Sequence, residues 1–146
     1  MRIGVIHGPN LNLLGSREVE AYGKLSLTEI DRLLIARAGE RQVELVSRQS
    51  NHEGELVDFV HAETGGVDGW LVNAAGYTHT SVALRDALAA ARLPVVEVHL
   101  SNILAREPFR RESLLAPLSL GVVAGFGARS YLLGLDALIA HLDGSA

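Results

Sequence analysis

The sequence contains no cysteine. Disulfides, zinc–thiolate sites, iron–sulfur clusters and a cysteine nucleophile are thereby excluded. It has no apolar run approaching the roughly 18 residues of a membrane-spanning helix. Positive charge is scarce: 13 Lys and Arg face 17 Asp and Glu, a net charge of −4 at pH 7. That balance provides no basic footprint for nucleic acid. There is no internal repeat, linker or low-complexity stretch. Known catalytic motifs are missing too. Gly23-Lys24 lacks the upstream glycine of a phosphate-binding P-loop. Gly125-Phe126-Gly127-Ala128-Arg129-Ser130 lacks the third glycine of a dinucleotide fingerprint and has no later βαβ unit, so close helix–strand packing explains it better. Neither a G-x-S-x-G elbow nor an H-E-x-x-H pair is present.

What remains is an ordinary globular chain. Its 146 residues, 48% hydrophobic and 21% charged, suit a single domain over residues 1–146 with a sizeable core. Met1-Arg2 leads directly into a short strand-like run broken by Gly8-Pro9, too short for a signal peptide. A cytoplasmic protein is expected.

β-branched runs alternate with helical spacing. Strands are expected at Arg2–His7, Val43–Gln49, Gly69–Asn73, Leu93–Val98 and Leu120–Gly125. Ser26-Leu27-Thr28-Glu29 is a capping box opening a helix with Ile30, Leu33 and Leu34 at helical spacing. Further helices are expected from about Glu53 to Thr64, after a Thr80 or Ser81 cap, and over Ala128–Leu142, with an irregular turn at Arg106–Ser113. Such alternation gives a parallel sheet with right-handed crossovers. Five strands favour a flavodoxin-like three-layer α/β sandwich of order 2-1-3-4-5, whose switch point lies between the first and third strands.

Each strand runs into polar residues at its carboxyl end, the edge where open α/β sheets bind ligands. Gly8-Pro9-Asn10-Leu11-Asn12 follows the first strand, with Arg17 and Tyr22 further along the same loop. Asn73 and Thr78-His79-Thr80-Ser81 follow the third. Glu97-Val98-His99-Leu100-Ser101-Asn102 ends the fourth, while Gln49-Ser50-Asn51-His52-Glu53 follows the second. The pattern reads as a catalytic crevice. A phenol ordinarily titrates at about 10 and is a poor base at neutral pH, but a nearby cation favours its ionised form. Arg17 is the candidate cation for Tyr22, on a loop with Gly15 and Gly23 near its ends, as expected of a lid. The plainer alternative is a solvated loop with a surface Arg and a turn Tyr. Glu97 and His99, two apart on a strand, share a face. A carboxylate-backed imidazole suits a general acid; metal ligation and a structural pair are the rivals. Backbone donors at the helix start after His79 and at the Leu100-Ser101 turn favour anions, and one of Arg106, Arg110 and Arg111 can bind such a ligand. His7 reads as a satisfied core histidine, and His52 as a supporting or capping residue. Two other functions fit the same fold: a mononucleotide-binding module, which would carry a bound flavin or nucleotide, and a His/Glu metal-dependent hydrolase.

Four strings carry a specific resemblance: Gly8-Pro9-Asn10-Leu11-Asn12-Leu13-Leu14-Gly15, Arg48-Gln49-Ser50-Asn51-His52-Glu53-Gly54-Glu55, Tyr77-Thr78-His79-Thr80-Ser81 and Glu97-Val98-His99-Leu100-Ser101-Asn102. Together they resemble type II 3-dehydroquinate dehydratase from about Ile3 to Leu142. The resemblance implies a flavodoxin-like homododecamer, a tetramer of trimers. It implies anti dehydration of 3-dehydroquinate to 3-dehydroshikimate through an enolate, in the shikimate route or in quinate breakdown, with no cofactor, metal or Schiff-base lysine. The lone Lys24 agrees with that last point. By resemblance Tyr22 is the base, Arg17 activates it, Asn10 steadies the enolate oxygen through a water, and His99, oriented by Glu97, is the acid. Asn73, His79, Leu100, Ser101 and Arg110 match substrate contacts, and Asp86 an acidic residue reaching a neighbouring subunit's site. Three positions depart from the family pattern: Val19 stands where proline is common, Leu104 where histidine is, and His7 where asparagine is.

Overall fold

The computed structural model describes residues 1–16 and 19–145. Five strands, β1 (Arg2–His7), β2 (Glu44–Gln49), β3 (Gly69–Asn73), β4 (Val95–His99) and β5 (Gly121–Ala124), form one parallel sheet. Its order is β2-β1-β3-β4-β5, as the alternation of elements predicts. A short helix α1 (Val19–Tyr22) lies in the first loop. The longer helices are α2 (Leu27–Glu40), α3 (Glu53–Glu63), α4 (Val82–Ala91) and α5 (Arg129–Asp143).

Strand bounds shift where backbone chemistry decides them. β4 begins after Pro94, which has no amide hydrogen for the ladder, and runs through His99. β2 starts one residue later than its apolar run, because Val43 instead bonds to Ala38 at the end of α2. The capping box on α2 is complete: Glu29 N–H donates to Ser26 Oγ at 3.2 Å, and Ser26 N–H to Glu29 Oε2 at 2.7 Å. Those bonds hold the Glu29 carboxyl below its usual range. Ser81 caps α4 by accepting from Leu84 N–H.

Two apolar layers sandwich the sheet. Ile3, Val5, Leu71, Val96 and Val98 pack with α2 and α5; Ile6, Trp70, Val72 and Val95 pack with α3 and α4. Two glycines make these contacts close enough. Gly4 lies beside Trp70 in the β1–β3 register, and a Cβ there would stand 2.3 Å from the indole. In α5, a Cβ on Gly134 would stand 2.4 Å from Val98 Cγ1 and 3.0 Å from Leu71 Cδ1. Gly134→Ala therefore sets two effects against each other. Helix propensity favours alanine by about 1 kcal/mol; overpacking a filled core costs about 1–3 kcal/mol. Both neighbours are buried strand residues, so overpacking wins, and the urea midpoint should fall with an unchanged m value.

Candidate functional site

The carboxyl ends of β1, β3 and β4 open into one pocket. Asn10, Leu11 and Leu14 line it from the first loop, Asn73 and His79 from the β3 loop, and His99, Leu100 and Ser101 from the end of β4; Tyr22, Arg106 and Arg110 close it. No acidic side chain is among these lining residues, while two guanidiniums are, which suits an anionic ligand.

The loops are held from below. Gly8 must be glycine, because a Cβ would stand 2.2 Å from the Ala74 carbonyl oxygen; this brings the β1 and β3 loops together at the switch point. Gly15 and Gly23, at φ +88° and +85°, bound the first loop. Asn10, itself at φ 68°, donates its backbone N–H to Asn51 Oδ1 at 2.9 Å, and Gln49 Nε2 donates to the Gly8 carbonyl at 3.2 Å. The polar cluster after β2 thus braces the first loop rather than lining the crevice, since β2 lies one strand further from the switch point. His52 occupies the N-cap position of α3 without a side-chain capping bond.

Tyr22 is half-buried. Arg106 donates from Nη1 to its phenol oxygen at 2.7 Å, and the guanidinium carbon lies 5.1 Å from the ring centroid. Arg106 Nη1 also reaches Ser101 Oγ at 3.4 Å. The sequence reading paired Tyr22 with Arg17, which lies outside the described residues. It missed Arg106 as a partner of the phenol: Arg106 is 84 residues away in the chain, and its only signal is membership of an arginine cluster after β4.

His99 and Glu97 come together as their spacing predicts. Glu97 is fully buried, and its Oε1 lies 2.5 Å from His99 Nε2. This takes up Nε2 and leaves Nδ1 for a ligand. His79 stacks beside His99, with centroids 6.4 Å apart and planes 18° apart. Its Nδ1–H donates to the Glu112 carbonyl at 2.6 Å.

Behind Asn73 lies a buried network. His7 is satisfied at both ring nitrogens: Nε2 faces Asp31 Oδ1 at 2.9 Å, and Nδ1 faces the Tyr131 hydroxyl at 2.7 Å. Burial pushes the Tyr131 phenol far above its usual range; Asp31 adds to the shift and the Asn73 side chain opposes it. Tyr131 is therefore a neutral donor. Asn73 Oδ1 accepts from Ala75 N–H at 3.1 Å.

Two other expected site residues differ in placement. Arg110 lines the pocket, with its Nε bonded to Glu107 Oε2 at 2.5 Å, and this contact holds the Glu107 carboxyl below its usual range. Asp86 does not reach the pocket; it is exposed on α4 and pairs with Arg85 at 3.2 Å. Among the described residues, no three His, Asp or Glu side chains gather as a metal site. No helix among them is long and apolar enough to cross a membrane.

Sheet order and pocket define a class: a flavodoxin-like α/β protein with a cation-bound phenol and a carboxylate-backed imidazole at the switch point. Comparison with known proteins narrows it. The family profile "Dehydroquinase class II" matches residues 1–139. A 3-dehydroquinate dehydratase of Nostoc sp. is 57% identical over 144 residues, 99% of this chain and 98% of the relative. One from Ruegeria pomeroyi is 56% identical over 139 residues, 95% and 93% of the two chains. The crystal structure of a type II dehydroquinase from Butyrivibrio crossotus superposes with a TM-score of 0.92 at 38% identity, covering 95% of this chain and 97% of that one. This chain belongs to the class II dehydroquinase family.

Proposed function

We propose that this chain dehydrates 3-dehydroquinate to 3-dehydroshikimate by anti elimination, with Tyr22 as base and His99 as acid. One observation carries the reading: the Tyr22 oxygen, bonded to Arg106 at 2.7 Å, lines the same pocket as an imidazole backed by a buried carboxylate. A guanidinium can only donate, so the phenol oxygen is the acceptor in this bond. Tyr22 takes the proton beside the substrate ketone, and the electron pair moves onto the carbonyl oxygen as an enolate. Asn10, through a water, steadies that oxygen. The enolate then collapses, the C–O bond to the hydroxyl breaks, and His99 supplies the proton with which it leaves as water. The product is a conjugated enone.

Arg17 keeps the role the resemblance implies, as a cation for Tyr22. Asn73, His79, Leu100, Ser101 and Arg110 are the substrate contacts, and Arg110 with Arg106 suits the substrate's carboxylate. We assign the chain to one domain over residues 1–146, to the cytoplasm, and to the shikimate route or quinate breakdown. We also assign it to a homododecamer built as a tetramer of trimers. Two features support assembly. Asp86 stands exposed outside its own chain's pocket. Leu120, Val122 and Phe126 are exposed at and beside the edge strand β5, where unpaired backbone favours association. The carboxylate would then act at a neighbour's site.

The test is enone formation from 3-dehydroquinate, followed by absorbance, with and without exhaustive chelation. Turnover undiminished by chelator is expected. No enone from folded, assembled protein would refute the reaction, and loss of activity on chelation would refute the metal-free chemistry.

A further inference from the structure

Ser113 stands outside the pocket, yet its hydroxyl meets the carboxylate behind His99. It accepts two backbone hydrogen bonds, from Leu115 N–H at 3.0 Å and Ala116 N–H at 2.9 Å. A serine hydroxyl has two acceptor positions and one proton, so both acceptor positions are filled. The proton is left for Glu97 Oε2, at 2.8 Å. That oxygen can then only accept. Any proton on the Glu97 carboxyl is confined to Oε1, where it is shared with His99 Nε2 at 2.5 Å. Glu97 is fully buried, and a buried acceptor left unpaired is costly.

We infer that Ser113 is a positioning residue for the acid of this site: by fixing Glu97 it fixes the tautomer and ring orientation of His99, so that Nδ1 faces the substrate and Nε2 faces the carboxylate. The inference rests on the reading of His99 as the acid. The neighbouring residue acts in the same way on the second imidazole, since the Glu112 carbonyl accepts from His79 Nδ1–H. One loop segment thereby orients both stacked rings. The same segment begins two residues after Arg110, which lines the pocket.

The experiment combines kinetics with nitrogen-15 spectra of the assembled, histidine-labelled protein, with His99 assigned by comparison with His99→Gln. In the wild type the neutral His99 ring should carry its proton on Nε2 alone. Ser113→Ala should mix the two tautomers and lower kcat about ten-fold or more, a fraction of the about 10²- to 10⁴-fold a positioned acid supplies. KM should stay within about two-fold, because the substrate contacts remain. Ser113→Thr, which keeps the hydroxyl, should restore both kcat and the ring signals. The inference is overturned by a Ser113→Ala enzyme with wild-type kcat, or by one whose kcat falls while the His99 signals stay unchanged. A neutral wild-type ring carrying its proton on Nδ1 in place of Nε2 overturns it without any variant. If His99→Gln keeps full turnover, the reading of His99 as the acid fails instead, and the ring signals still report separately on what Ser113 does.

Discussion

Tyr22→Phe is expected to lower kcat by about 10²- to 10⁴-fold, the contribution of a positioned base, with KM little changed. The variant isolates a single oxygen. The aromatic ring, packed against the α2/α5 core layer, is kept, and so is the cation–π contact with Arg106. Only the atom that Arg106 Nη1 meets at 2.7 Å is removed. Circular dichroism and sedimentation should therefore match the wild type while enone formation collapses. A rate near wild type would remove Tyr22 from the mechanism and return the base to be sought elsewhere in the pocket.

His99→Gln should cause a loss of similar size, about 10²- to 10⁴-fold in kcat, for a different reason. A glutamine amide is far too weak an acid to protonate a departing hydroxyl, yet it can still donate a hydrogen bond to the carboxylate beneath it. His99→Ala lacks that donor and leaves Glu97, fully buried, with one oxygen unpaired. Leaving a buried acceptor without its hydrogen-bond partner costs about 1–3 kcal/mol. The two variants should then share the kinetic defect and separate in denaturation: glutamine near the wild-type midpoint, alanine well below it. Equal stability with equal loss of rate would show that Glu97 does not depend on the imidazole. Full activity in the glutamine variant would remove His99 from the acid role.

The elements that sequence reading located well are those whose signals are local. The capping box at Ser26 and Glu29, the run Gly69–Asn73 and the alternation of strands and helices each act within a few residues, and together they specify the sheet order. The pairing of Glu97 with His99 was legible for the same reason, since residues two apart on a strand must share a face. The 3₁₀ turns Ile103–Ala105 and Pro108–Arg110 after β4 were legible only as irregular chain. They carry Arg106 and Arg110 to the pocket, and no periodicity marks where they point. The network behind Asn73 was half legible. His7 could be read as a satisfied core histidine, but its partners Asp31 and Tyr131 lie 24 and 124 residues away.

The sequence by itself determined the strand order, the edge at which the polar residues collect and, through four contiguous strings, the family. Those properties follow from short-range rules: side-chain period, capping, handed crossovers and residue identity. Only the tertiary structure decided which cation meets the phenol, which loop bonds the carboxylate behind the acid, and that the residues after β2 brace the site instead of lining it. Those contacts join segments far apart in the chain. Their partners are chosen by how close glycine lets two loops approach and by which buried donors still require an acceptor, and neither quantity is written in any local stretch of sequence.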